Sequence, residues 1–464
     1  MDPADAYVKL YDQLKSEHAD ALDEWSLRDD VSQARDSVCA EVRATGTLDD
    51  RWLLRHAHDR CLLFGILRGL DLALLSANPE TGAPDGSALD YLRARLELTG
   101  KLNDQAVGLL LPSRASDGRP GVDPDSIDDF LHFLRLSPEI SADVQIHPVP
   151  ALHDLPRTAK TSTSGVLEPK PPLTIAQLPL LAGPEDLRWN IVESDDRFYT
   201  VVPDATRIGP RLPAALRALD QSGASLAILP EGCLTDDLLP QWQELLKSTP
   251  RPKDGSLTWL LLGTGPVVSV GPKPQSNRLP NRAVLVHRNG WLAPLMTQDK
   301  LSGFCFTPDQ QEIYRIDLGG VKRDEFISHN TTLTVLEGRA GRFAVQICED
   351  FGRLRQQSRV VLTGATHIIV PVLAASMWDS GWQARAGQVM ALDLGAKAAV
   401  SNGLAIERFY NETTPSPTLL TVVALPGRPD NYFTTEELVQ AYSNMRAGEQ
   451  SQTEDALTPR VAEW

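Results

Sequence analysis

Apolar residues recur at helical spacing through the first third of this chain and gather into short strand-like blocks through the rest. Residues 6–22, 52–75, 89–98 and 127–136 carry the helical period. The broadest apolar face runs through Leu53, Leu54, Cys61, Leu62, Leu63, Ile66, Leu67, Leu70, Leu72 and Leu75, which predicts a buried helix over 52–75. Asp123-Pro124-Asp125-Ser126 is a start signal for a helix over 127–136. From 146 to 187 the pattern lapses, and Pro148, Pro150, Pro156, Pro169, Pro171, Pro172 and Pro179 recur, as in an interdomain linker or an extended wrapping segment.

Beyond 188, strands and helices alternate. Residues 225–229, 257–262, 367–370, 398–401 and 418–423 read as strands, and 211–221, 237–247 and 381–394 as helices. Two hairpins interrupt them. One turns at Arg288-Asn289-Gly290, between 282–287 and 291–296; the other turns at Glu337-Gly338-Arg339, between 332–336 and 342–347. The expectation is a layered α/β fold over 188–434. It is preceded by an all-α domain over 1–145 and the Pro-rich linker over 146–187, and followed by a polar tail over 435–464. No internal repeat is present.

Composition narrows the function. The chain has 464 residues, 42% hydrophobic and 23% charged, with a formal charge of −16. That charge disfavours nucleic acid and anionic lipid as partners. No apolar run is long enough to span a bilayer, and residues 1–10 do not have the pattern of a signal peptide. Cys39, Cys61, Cys233, Cys305 and Cys348 are scattered and odd in number, which is not a disulfide framework. A reducing, cytoplasmic setting is expected, where a thiol nucleophile survives.

Candidate chemistry sits at strand ends. Leu229-Pro230-Glu231-Gly232, Gln298-Asp299-Lys300 and Ile347-Cys348-Glu349-Asp350 each close an apolar block. Taken singly, each has a bland reading: a helix-start carboxylate for Glu231, a solvated lysine for Lys300, a buried structural thiol for Cys348. Taken together they supply an acid–base group, a cation for a developing oxyanion, and a nucleophile. If all three strands end at one sheet edge, the set can break a C–N bond through a thioester. His56 and His58 stand two apart on a predicted helix and face different directions, so they do not form a metal pair. Gly263-Thr264-Gly265 lacks the rest of a dinucleotide fingerprint and reads as a turn after a strand.

The three islands, in this order, resemble the nitrilase superfamily of carbon–nitrogen hydrolases. Val370-Pro371, Ser376-Met377-Trp378, and the run from Arg385 into Val400-Ser401-Asn402 extend the resemblance over roughly 188–430. It implies an αββα sandwich that pairs into a four-layer homo-oligomer. It also implies roles: Glu231 as general base, Lys300 as oxyanion stabiliser, Cys348 as nucleophile, and the Glu349 backbone N–H as second oxyanion donor, with no metal or cofactor. Many members carry a second glutamate that orients the lysine. Glu312 is the candidate for it here, with Asp309 the nearer alternative. Gly232 and Cys233 replace the apolar residues that often follow the family's glutamate, which bears on pocket shape. Cys233, Phe304, Met377 and Trp378 are the expected pocket walls.

The leading expectation is an amidase acting on a small-molecule amide, releasing ammonia or an amine. Two rivals stand beside it. One is a glutaminase-type ammonia donor for a separate partner. The other is a non-catalytic scaffold or sensor, engaging a protein partner through its N-terminal helices.

Overall fold

The computed structural model describes residues 1–77, 87–103, 108–113, 126–149, 173–274, 277–290, 292–328, 330–338, 341–374, 382–393, 395–406, 408–410, 414–416, 421–424 and 459–463. The chain divides into two compact units. The first comprises Met1–Val149, Val335–Arg342 and Arg359–Ala365; the second comprises Pro150–Thr334, Phe343–Ser358 and Thr366–Trp464.

Helices Pro3–Leu14, Asp29–Thr45 and Arg60–Ala77 build the first unit. Their apolar faces, including Tyr7, Leu10, Val38, Val42, Phe64, Leu67 and Leu70, form one buried cluster. The predicted helix over 6–22 is two helices, Pro3–Leu14 and Ala19–Ser26. The second and third of the main helices meet across Gly65 and Gly69. A methyl group at Gly65 would lie 2.6 Å from the Val31 carbonyl oxygen, and one at Gly69 would lie 2.5 Å from that of Arg35.

The first unit is not all-α. Strands Leu109–Pro112 and Phe133–Leu136 pair antiparallel, and Val144–Pro148 is a third strand. The start signal at Ser126 does operate: its side chain caps Asp128 N–H, and Asp129 reciprocates in a capping box. The box opens only one 3-10 turn, Ile127–Phe130, and the chain then enters the strand Phe133–Leu136. The buried carboxylate of Asp71 explains the change of conformation. It accepts the backbone N–H groups of His132 and Phe133 at 2.9 and 3.1 Å, and lies 2.6 Å from His132 Nδ1. Tyr7 donates its hydroxyl to the Phe133 carbonyl at 2.8 Å. These tertiary bonds draw the backbone out of the helical path that local spacing favours.

Two sheets organise the second unit. The first runs in the order Leu292–Asp299, Arg282–His287, Trp259–Gly265, Leu226–Ile228, Thr174–Gln177 and Arg460–Glu463. Its central strands Thr174–Gln177, Leu226–Ile228 and Trp259–Gly265 are parallel, and its outer pairings are antiparallel. Alternation places Ala227, Leu229, Leu260, Leu262, Val284 and Val286 on one face, packed with helices Leu212–Gln221 and Leu238–Ser248. The second sheet places His367–Val372 between Gly341–Val345 and Lys397–Asn402, both parallel to it, with Thr421–Ala424 antiparallel beyond. Polar bonds join the sheets. Gln177 Nε2 donates to the Val400 carbonyl at 3.1 Å, and Ser401 Oγ to the Ile228 carbonyl at 3.2 Å. A smaller sheet, Cys305–Phe306, Arg323–Glu325, Phe198–Pro203 and Leu187–Ile191, stands beside them.

Two further expectations change. Much of the 146–187 linker lies outside the described residues, but its last part holds the strand Thr174–Gln177, in the middle of the first sheet. Most of the 435–464 tail also lies outside them, while Arg460–Glu463 is that sheet's edge strand. Four-residue strands flanked by prolines and polar residues carry too little pattern to be read locally. Among the described residues, no helix is long and apolar enough to cross a membrane.

The two helix-contact glycines yield a stability prediction. Replacing glycine by alanine inside a helix gains about 1 kcal/mol of propensity per site. Here the added methyl groups meet backbone carbonyls, which no rotamer change can relieve, and overpacking of this kind costs about 1–3 kcal/mol per site. Gly65→Ala/Gly69→Ala should therefore lower stability in urea titration despite the propensity gain. A double variant as stable as the parent would show that these helices separate freely.

Candidate active site

Glu231 follows the strand Leu226–Ile228 by way of Leu229 and Pro230. Its turn is seated on one carbonyl: Thr264 O accepts the N–H groups of Gly232, Cys233 and Leu234 at 3.0, 3.0 and 3.1 Å. Gly232 has φ +80°, in the region that favours glycine. Gly263-Thr264-Gly265 is thus the end of the strand Trp259–Gly265, not a turn after it. A side chain at Gly263 would strike the Pro230 carbonyl and Cys233 Sγ, so the glycine lets the Glu231 turn pack against the strand.

Lys300 follows the strand Leu292–Asp299. The preceding residue is clamped: the Asp299 carboxylate bonds the buried Arg282 guanidinium at 2.5 and 2.9 Å. Arg282 also donates to the carbonyls of Val267 and Pro272. The Lys300 backbone N–H reaches the Asn281 carbonyl at 2.8 Å.

Cys348 lies beyond the strand Gly341–Val345 and just before the short helix Glu349–Gly352. Its φ of +49° and ψ of −109° are strained for a non-glycine residue; such positions cost about 1–3 kcal/mol and persist where surrounding structure enforces them. The enforcing bond runs from Cys348 N–H to the Pro371 carbonyl at 2.9 Å. The next carbonyl along, Val372 O, accepts Glu231 N–H at 3.2 Å. Consecutive carbonyls at the end of one strand therefore fix the backbones of the thiol and the carboxylate.

The three side chains share one cavity of about 520 Å³, lined also by Trp189, Tyr199, Phe304, Phe306, Tyr314 and Trp382. Lys300 Nζ lies 2.9 Å from Glu231 Oε1 and 2.7 Å from Glu325 Oε2. Asn281 Nδ2 bridges the same carboxylates, at 2.7 Å from Glu231 Oε1 and 3.2 Å from Glu325 Oε1. Phe304 N–H donates to Glu325 Oε2 at 3.0 Å. Glu231 Oε2 has no hydrogen-bond partner among the described residues.

Electrostatics assigns protonation states. Burial works against the Lys300 charge, but Glu231 and Glu325 outweigh it and hold the ammonium well above its ordinary value. Burial, followed by the Glu231 charge, pushes the Cys348 thiol well above its ordinary value, with Lys300 opposing. The resting pair is thus an ammonium and a protonated thiol. Burial also raises Asp350 to about 7, opposed first by the Leu301 N–H, which donates to Oδ2 at 2.9 Å. That bond ties the residue after Lys300 to the turn that carries Cys348.

The remaining sequence candidates separate. Glu349 lines the cavity and occupies the first position of its helix, where a backbone N–H has no intrahelical acceptor. Phe304 lines the cavity as well. Cys233 does not belong to the lining. It is fully buried in the core, and its thiol donates to the Pro230 and Leu262 carbonyls at 3.0 and 3.5 Å. Glu312 and Asp309 lie on the helix Pro308–Tyr314 with exposed side chains, and the carboxylate on Lys300 is instead Glu325. Met377 and Trp378 lie outside the described residues. Sequence reasoning missed Glu325, Asn281 and Gln383. The available signal for Glu325 was the alternation of Arg323, Glu325 and Ile327 on the buried side of a strand, concealed because two of the three are charged. Among the described residues, no group of three His, Cys, Asp or Glu is placed to hold a metal ion.

No protein-family model and no curated protein matches this chain. Solved structures do. Among those it resembles are members of the nitrilase superfamily. Nit3 of Saccharomyces cerevisiae, of branch 10 of that superfamily, is 15% identical, with a TM-score of 0.37 over 55% of this chain and 83% of Nit3. An amidase from Nesterenkonia sp. is 18% identical, with a TM-score of 0.34 over 60% of this chain and all of the amidase. The glutamine-dependent NAD+ synthetase of Acinetobacter baumannii is 12% identical, with a TM-score of 0.34 over 54% of this chain and 43% of the synthetase.

The Glu231 charge is a principal cause of the raised thiol pKa. Glu231→Gln removes that charge while keeping an acceptor, so the pH midpoint for iodoacetamide alkylation of Cys348 should move down. A midpoint unchanged or moved up in the variant would show that the carboxylate does not face the thiol.

Proposed function

We propose that the second unit is a thiol-dependent carbon–nitrogen hydrolase of the nitrilase superfamily, an αββα sandwich that hydrolyses amides through a thioester. One observation carries the reading. A cysteine on a strained strand-to-helix turn shares a cavity with a buried ammonium and with a carboxylate that keeps one oxygen unbonded.

The steps follow from the charges. Glu231 Oε2 accepts the thiol proton as Sγ attacks the amide carbon. The carbonyl oxygen becomes an oxyanion, stabilised by the Lys300 ammonium and the Glu349 N–H. Glu231 then passes the proton to the departing nitrogen, the C–N bond breaks, and ammonia or an amine leaves. Water gives a proton to Glu231 and its oxygen to the thioester carbon. The C–S bond breaks, the carboxylic acid departs, and the proton returns to sulfur. Glu325 and Asn281 are positioning residues that hold Lys300 and Glu231 in register.

The cavity's charges favour a neutral substrate over a free amino acid. Glu231 and Glu325 share the single Lys300 cation, which leaves one negative charge in excess, and Glu349 pairs with Arg353 at 2.7 Å. An α-carboxylate finds no uncommitted cation among the described lining residues. A scaffold role gives no reason to retain both a strained cysteine and a buried ion cluster.

Ammonia release from neutral primary amides tests the reading. Cys348→Ala should abolish it while circular dichroism remains unchanged. Glu325→Gln should fold, because a glutamine oxygen still accepts from Phe304 N–H and Lys300, yet lower kcat about 10²-fold by loosening an oxyanion donor. Full turnover by Cys348→Ala would exclude a thioester mechanism.

A further inference from the structure

Gln383 has no part in the steps above, although it lines the same cavity. It stands in the first turn of the helix Trp382–Asp393 and is only 1% exposed. Among the described residues, neither its Nε2 nor its Oε1 has a hydrogen-bond partner. A buried carboxamide with donor and acceptor both unmet is costly to fold. The cost is recovered if a ligand offers the complementary pair.

The neighbouring surface defines the rest of that ligand. Trp189, Tyr199, Phe304, Phe306 and Tyr314 pack edge-to-face or tilted, with ring centroids 4.9–6.2 Å apart, and present an aromatic wall. The Trp382 ring covers Gly352, at the end of the short helix that begins after Cys348; a methyl group on Gly352 would lie 3.0 Å from that ring. This contact docks the start of the Gln383 helix against the thiol's own turn. The volume of about 520 Å³ suits a ligand larger than a simple aliphatic amide.

Resting on the amide-hydrolase reading, we propose that Gln383 is a specificity-determining residue. It pairs through its carboxamide with a second amide-type group on an uncharged substrate, whose scissile primary amide faces Cys348 and whose aromatic or bulky apolar group lies on the aromatic wall. The substrate class is therefore neutral N-acylamino carboxamides and compounds of equivalent hydrogen-bonding pattern. Hydrolysis consumes one water, releases one ammonia and leaves the second amide intact.

Two probes isolate the contact. N-acetyl-phenylalaninamide carries ring, primary amide and acetamido group; 3-phenylpropanamide lacks only the acetamido group. Calorimetric titration into Cys348→Ala protein reads binding without turnover, so failure of the hydrolytic reading, seen as absent ammonia release by the parent enzyme, stays distinguishable from failure of this one. The acetamido probe should bind about 10- to 100-fold more tightly. Adding Gln383→Met, which keeps volume and removes both polar atoms, should bring the probes within about threefold of each other. Equal binding of the probes to Cys348→Ala, binding of neither, or a ratio that survives Gln383→Met would overturn the proposal. If the methionine variant does not fold, Gln383→Asn, one methylene shorter, must also shrink the ratio, and an unchanged ratio again overturns it.

Discussion

A single ammonium buried between two carboxylates sets the terms for the rest of the second unit. Lys300, Glu231 and Glu325 are almost completely removed from solvent, and each ion carries a desolvation penalty of several kcal/mol. Two attractions oppose three penalties and one carboxylate–carboxylate repulsion, so the cluster retains an excess negative charge. Asn281 and the Phe304 N–H reduce the imbalance by donating to the carboxylates. They leave Glu231 Oε2 unmet. A core selected for stability alone would place apolar side chains here. Main-chain bonds to each of the turns hold the arrangement in place.

That enforcement comes from ordinary main-chain bonds. The strand His367–Val372 lies between two parallel neighbours, and its last carbonyls hold Cys348 and Glu231. Thr264 O gathers the turn after Glu231. Arg282 grips Asp299 and, through it, the start of the Lys300 segment. The ladder to Gly341–Val345 stops at Val345 and Ile369, which leaves the Pro371 carbonyl to accept from the turn that carries Cys348. Glu231, Lys300 and Cys348 are up to 117 residues apart in sequence, yet each lies within three residues of a strand terminus.

Local signals made the strands legible, and the three candidate groups with them. Apolar blocks closed by Pro230 or by an Asn-Gly turn need no tertiary information, and Glu231, Lys300 and Cys348 could be picked out because each followed such a block. Glu325 could not. It lies on a three-residue strand among charged residues, and it is paired with Lys300, a contact no sequence window contains. Cys233 failed for the opposite reason: proximity to Glu231 in sequence suggested a shared pocket, but Gly232 reverses the chain and turns the thiol into the core. The strand Phe133–Leu136 was hidden by a similar cause, since Asp71, 61 residues earlier, captures the backbone that helical spacing would have claimed. For Glu325 and for Phe133–Leu136 a buried polar group overrode the local pattern; for Cys233 the glycine turn did.

The charge states constrain how protons can move in the cavity. Lys300 is held so firmly as an ammonium that losing its proton would leave two carboxylates facing each other without a cation. It can therefore stabilise an oxyanion but is poorly suited to act as the acid for a leaving group. Cys348 rests as a thiol, so the proposed attack requires a proton acceptor. Glu325 is occupied on both oxygens, by Lys300, Asn281 and the Phe304 N–H. Of the two carboxylates on Lys300, Glu231 is the one that keeps an oxygen without a partner among the described residues, and its other oxygen is fixed by Lys300 and Asn281. In the proposed attack, taking the thiol proton would remove the cluster's excess negative charge as sulfur begins to bond carbon, so the electrostatic cost present at rest would be relieved along that reaction coordinate. In the proposed mechanism Glu231 would thus serve both half-reactions as the proton carrier, and the unmet oxygen that weakens the folded state would be the group that begins the chemistry.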